Sequence, residues 1–156
     1  ITLAYDTYGT VVDSNSKLVW KRYRSTQASI DGIVPVTSGD SIVNAVVAVS
    51  NYLGADFNAV SYMEQGHTAV ETFDNISGVH GISLTGITYE KALSYVGDGS
   101  PVIARIGEDE YIIITAYNSS EIAYIEASTG AQKTVSMNEA GKMFSQGGNI
   151  YVTYYK

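Results

Sequence analysis

The stretch Ser38-Gly-Asp-Ser-Ile-Val-Asn-Ala-Val-Val-Ala-Val-Ser-Asn-Tyr-Leu-Gly54 decides how the rest of the chain reads. Its valines and isoleucine alone favour a strand, because β-branched side chains pack well on a pleated surface. Three features outweigh them. The apolar run from Ile42 to Leu53 is too long for an ordinary strand. A polar Ser-Gly-Asp-Ser precedes it and can cap a helix N-terminus. Gly54 follows it, where a left-handed residue commonly stops a helix. A helix over about Ser41–Leu53 is therefore expected. It is apolar nearly all round, so it must be buried.

Downstream, residues 57–72 are a weaker helical candidate. Thr88 is placed to cap a short helix through Tyr95, with Glu90 in its first turn. After Gly97-Asp-Gly-Ser the pattern changes. Pro101–Ile106, Tyr111–Tyr117 and Glu121–Ile125 are β-rich runs separated by polar turns, Asn118-Ser-Ser being one of them. Ser136-Met-Asn-Glu139 matches a capping box and should start a helix that stops near Gly147-Gly148. Ile150–Tyr155 reads as a last strand. Helices first and an antiparallel sheet afterwards make an α+β domain.

Upstream, residues 1–34 read as an N-terminal extension of the same fold, and residues 35–156 as the main domain. Ile1–Tyr5 and Leu18–Tyr23 have strand character around an Asp13-Ser-Asn-Ser turn. Lys17, Lys21, Arg22 and Arg24 concentrate four of the nine positive charges; this basic segment either pairs with the acidic remainder or faces a partner. Ile1 reads as a processed start.

Composition narrows the functional classes. The chain has 156 residues, one domain's worth, with 45% hydrophobic and 16% charged residues. A net charge of −7 repels phosphate backbones, so no nucleic-acid partner is expected. No apolar run is long enough to span a bilayer. There is no cysteine, which removes disulfides, thiolate chemistry and cysteine-based zinc sites together. Low charge, 13 tyrosines and abundant small polar residues suggest a secreted or cell-surface bacterial protein.

Several residue groupings have chemical readings. Glu64, His67 and Glu71 would share one face of a helix over 57–72 and make a metal half-site, against the plainer reading of a solvated face. Glu108-Asp-Glu110 lacks the spaced ligands of a calcium loop and reads as a polar turn. Glu110 and Glu126 could face each other across a hairpin as a carboxylate pair. His80 lies in a glycine-rich loop, Gly78-Val-His-Gly81. Ser41 reads as a helix cap. No metal and no cofactor are expected.

The order of elements, with particular residues, resembles the bacteriocin-processing (double-glycine-leader) cysteine peptidase family, a papain-like group. The family's Cys-Gly-Pro opens a buried helix ending in Tyr-Leu-Gly; here Ser41-Ile-Val opens it and Asn51-Tyr-Leu-Gly54 ends it. Its Gly-x-Pro-Val-Ile strand matches Gly99-Ser-Pro-Val-Ile103. Its His-led apolar strand and Gly-Tyr-Asp turn align with Glu110-Tyr-Ile-Ile-Ile-Thr-Ala-Tyr-Asn118. Its Asp-Pro-x-x-Gly turn corresponds to Glu126-Ala-Ser-Thr-Gly130. The closing helix and strand are Ser136–Glu139 and Ile150-Tyr-Val152. The resemblance covers roughly residues 34–156.

The resemblance implies a papain-like α+β fold, a buried N-terminal helix packed on a C-terminal antiparallel sheet. It also implies that the positions of nucleophile, base and orienting residue are held by Ser41, Glu110 and Glu126. Papain-type hydrolysis needs a thiolate at a helix N-terminus, a histidine base and a group that orients the ring. A hydroxyl is a far weaker nucleophile, and a carboxylate of ordinary pKa, about 4.3, cannot activate it. The usual upstream glutamine is also not evident. The three positions then read as vestigial. A pseudopeptidase follows: a protein- or peptide-binding or assembly module of a larger exported protein. Two alternatives stand beside it. One is a hydrolase using Ser41 or another constellation, which turnover would reveal. The other is a purely structural spacer, which a plugged groove between helix 41–53 and strand 111–117 would support.

Overall fold

The computed structural model describes residues 27–156. The Lys17–Arg24 segment and the strand candidates Ile1–Tyr5 and Leu18–Tyr23 lie outside the described residues. In chain order the elements are β1 (Ala28–Ser29), α1 (Ser41–Tyr52), α2 (Ala59–Glu64), α3 (Ala69–Asp74), β2 (His80–Ser83) and α4 (Tyr89–Gly97). There follow β3 (Val102–Gly107), β4 (Glu110–Tyr117), β5 (Glu121–Glu126), β6 (Gln132–Ser136), α5 (Met137–Gln146) and β7 (Tyr151–Tyr155).

The run that opened the reading is the helix α1. Asp40 stands at its N-cap in an extended conformation, and its C-terminus closes as a Schellman motif. Ala55 N–H donates to Ser50 C=O at 3.0 Å and Gly54 N–H to Asn51 C=O at 3.0 Å. Gly54 takes φ 76°, a left-handed conformation that a β-branched residue would resist. Thus the valines are overruled by the caps and by burial. Val46 and Val49 are fully buried, each contributing roughly 1.5–3 kcal/mol relative to exposure.

The strands pair antiparallel throughout, in the order β2-β7-β3-β4-β5-β6, with β1 added to β4. The sheet lies between two helical layers, and the period-two alternation of the strands sorts their side chains between them. Ile103, Ile113, Ile125 and Tyr154 face α1 and α3. Val102, Ala104, Ile112, Ile114, Ile122 and Tyr151 face α4 and α5. The expected α+β class with an antiparallel sheet is therefore what the chain adopts. The strands expected over 101–106, 111–117, 121–125 and 150–155 all form, within a residue or two of their bounds.

Three expectations need correction. The helix expected over 57–72 is two short helices, because Gly66 takes φ 101° and Thr68 starts a new helix with a complete capping box to Glu71. The loop expected around His80 is a strand, β2, tucked against α3. A Cβ on Gly81 would lie 2.5 Å from the Val70 carbonyl oxygen, so only glycine lets the strand pass. Finally, Ser136 caps α5, but Glu139 stands 3.5 Å from Lys142, and the strand just before it, β6, had no apolar alternation to announce it.

Candidate functional site

The site is built at the start of α1. Ser41 is the first residue of that helix and 8% exposed. Its hydroxyl oxygen accepts the Tyr111 backbone N–H at 2.8 Å and faces the Tyr111 carbonyl oxygen at 3.4 Å. That carbonyl also accepts the Ala127 N–H at 3.1 Å. One turn along the helix, on the same face, sits Asn44, 1% exposed. Its side-chain amide donates to Ala127 C=O at 3.0 Å and to Gly39 C=O at 2.9 Å, and its oxygen accepts Gly39 N–H at 2.8 Å. Asp40 makes no side-chain cap. Asn44 instead folds back on the residue before it. Two polar side chains therefore clasp α1 to β4 and to the turn after β5.

The family resemblance implies that Ser41, Glu110 and Glu126 lie near one another, and the backbones are indeed adjacent. Ser41 bonds directly to Tyr111, so Glu110 is only one residue from contact, well inside about 15 Å. The side chains do not converge. Strand alternation puts Tyr111 and Ile113 on the α1 face, and hence Glu110 with Ile112 on the α5 face. Glu126 stands opposite Ile112 in register and shares that face. These two carboxylates therefore make no acidic groove beside Ser41. The small hollow there, about 210 Å³, is lined by Asp40, Ser41, Ile42 and Asp109.

Glu126 is engaged elsewhere. It accepts from Lys133 at 2.9 Å and from the Thr129 hydroxyl at 2.6 Å. The Lys133 ammonium and then the Thr129 hydroxyl hold its carboxyl below the usual carboxylate range. Lys133 is held above its ordinary value, chiefly by Glu126, with Tyr124 and Glu110 adding smaller electrostatic effects. Of the carboxylate pair considered from sequence, Glu126 is therefore ion-paired with Lys133 on the face away from α1.

The remaining candidates scatter. The Glu64–His67–Glu71 face is broken by the Gly66 turn. His67 lies between the helices, stacked on Tyr62 with ring centroids 3.8 Å apart and 3.6 Å from Glu71. The Thr68 backbone N–H holds the Glu71 carboxyl below its usual range. His80, opposite Tyr155 on the edge strand, lies three strands from β4, about 14 Å away. Among the described residues no group of three His, Asp or Glu side chains gathers to hold a metal. No helix among them is long and apolar enough to cross a membrane. Sequence reading passed over Asn44, although a single amide inside an apolar helix, one turn from Ser41, is itself a signal.

No protein-family model matches the chain, and none of the curated proteins does. Among solved structures it is similar to one from Bacillus anthracis described as a candidate C39-like peptidase. The two superpose with a TM-score of 0.67 at 12% identity, over 85% of this chain and 98% of that one. The chain accordingly has a C39-like peptidase fold, a likeness of architecture at an identity too low to carry activity.

Proposed function

We propose that this protein is a non-catalytic member of the papain-like architecture, a binding or assembly module in which the nucleophile position has become a structural clasp. One observation carries the reading. The Ser41 oxygen is occupied by the Tyr111 N–H, and the acceptor its hydroxyl meets among the described residues is the Tyr111 carbonyl, which is no base. A serine nucleophile needs a base within hydrogen-bond reach. The carboxylate at the family's base position points to the other face of the sheet, and the histidines stand elsewhere. The Gly39 N–H, beside the helix start, is likewise consumed by Asn44. Placement in a larger exported or cell-surface protein belongs to the same proposal and rests on composition.

The test is turnover of a fluorogenic peptide library by the full chain beside Ser41→Ala. No hydrolysis by either is expected. Hydrolysis lost on Ser41→Ala would overturn the reading. A second reading, a purely structural spacer, draws support from the interface between α1 and β4. Val46, Val49 and Ile113 are buried within it. The two readings part at a different surface of the domain.

A further inference from the structure

A broad hollow lies away from Ser41, on the face of the sheet beyond the end of α1. Two adjoining depressions of about 460 and 380 Å³ share Ser29, Ala116, Ala123 and Thr134. Those four residues are one transverse row: Ser29 pairs with Ala116, Ala116 with Ala123, and Ala123 with Thr134. Four strands in succession thus place a small side chain at the same height, and the floor drops into a trench. Beside it, β4 carries a register shift between Ile114 and Ala116.

The charges at its ends are of one sign. β1 and β5 both run antiparallel to β4, so they run the same way. Glu121, two residues before the row on β5, therefore stands at one end of the trench, and Asp31, two residues after it, at the other. Both are exposed and line the depressions. Four residues along the strands and two strand spacings across put them roughly 16 Å apart. Lys133 also lines the trench, but its ammonium is drawn to Glu126 on the opposite face. The chain as a whole carries 9 basic and 16 acidic side chains, a net −7.

We propose that this trench binds an extended, basic peptide segment of a partner protein. The proposal rests on the binding-module reading and gives it a site. In an extended chain, residues i, i+2 and i+4 face one way over about 13 Å. A Lys or Arg at i and at i+4 reaches Asp31 and Glu121, and a bulky apolar side chain at i+2 drops between Ala116 and Ala123. Opposite charge sets preference and encounter here, while the central side chain supplies the buried area.

Fluorescence anisotropy of the full chain with labelled Gly-Lys-Ser-Phe-Ser-Lys-Gly tests this, against the same peptide with both lysines replaced by glutamate. The basic peptide should bind about tenfold more tightly at low salt, with the gap closing as salt rises. The double variant Asp31→Lys/Glu121→Lys should reverse the order, and Ala123→Phe, which fills the trench, should abolish binding. Equal affinity for the two peptides, binding that survives Ala123→Phe, or no saturable binding to the full chain would each overturn the proposal. A trench already covered by the chain's own residues 1–26 would give the last result. Both variant sites are outside the clasp, and the charge reversal alone decides if Ala123→Phe does not fold. Ser41-dependent turnover, by contrast, would defeat the non-catalytic reading and leave the trench result standing.

Discussion

Asn44 should matter more to the stability of this protein than Ser41 does. Replacing Asn44 with alanine removes three hydrogen bonds. Two involve Gly39, which is exposed, so water can replace the amide there at small net cost. The third leaves the Ala127 carbonyl, in a residue 3% exposed, without that donor, at roughly 1–3 kcal/mol. The deleted atoms also leave a small void. The expected loss is about 3 kcal/mol. Ser41→Ala loses one good bond and one long one at a half-buried strand start, and about 1 kcal/mol is expected. Urea unfolding of each variant, read as a shift in midpoint at unchanged slope, measures both. Asn44→Asp sharpens the test. It keeps the acceptor for Gly39 N–H but aims a carboxylate at two carbonyl oxygens. Burial and that repulsion raise its folded-state pKa, so the neutral form is the one the fold tolerates. The stability lost at pH 7 should therefore return as the pH falls through that raised value. The clasp argument is refuted if Asn44→Ala costs less than Ser41→Ala, or if Asn44→Asp shows no such recovery.

Other outcomes follow from the same structure. Glu126, its pKa lowered by Lys133 and Thr129, contributes stability that is present above its unfolded pKa and lost as pH falls through the lower folded value; the pair is half-exposed, so Glu126→Gln should remove a modest acid-side slope, at most about 1 kcal/mol, seen by comparing the two proteins' urea midpoints across that range. Burial pushes Tyr151 and Tyr154 up to about 12, so their contribution is intact below pH 10 and lost between 10 and 12; the tyrosinate absorbance these two residues add, read as the difference from Tyr151→Phe and Tyr154→Phe, should appear together with unfolding, and its appearance in the folded protein would contradict the assignment. The Ser50 hydroxyl is buried without a partner among the described residues, so Ser50→Ala should be neutral or stabilising by up to about 1 kcal/mol in thermal unfolding. A Cβ on Gly147 would lie 1.9 Å from the Arg105 carbonyl oxygen, so Gly147→Ala should cost several kcal/mol, and an unchanged melting temperature would refute that packing.

The parts of the fold that could be read from sequence were those whose signal is local. The helix α1 announced itself by length and by its two ends, against the grain of its valines. The strands β3, β4, β5 and β7 did so by apolar runs between polar turns. What could not be read depends on partners distant in the chain. His80-Gly-Ile-Ser is a strand because α3 covers it and Asp74 accepts the Gly81 N–H at 2.8 Å, neither of which a four-residue window contains. Gln132-Lys-Thr-Val-Ser is an edge strand with one apolar residue, held by its ladder to β5.

For the site, the chain positions were legible and the directions were not drawn from them, although parity contained the answer. If Ile113 and Ile125 belong under α1, then Tyr111 faces Ser41, and Glu110, one residue earlier, must face away. Glu126, one residue after Ile125, does the same. The period of the strand thus turns both acids to the face opposite Ser41, where Lys133 holds Glu126. The trench, too, depends on register rather than on any local pattern. Ser29, Ala116, Ala123 and Thr134 are unremarkable one at a time, and only the register of three ladders lines them up. A one-residue slip in any of those ladders would move its small side chains to the opposite face and close the hollow. The register of β4, with its shift at Ile114/Ala116, is therefore what the proposed binding surface depends on, more than any single residue in its floor.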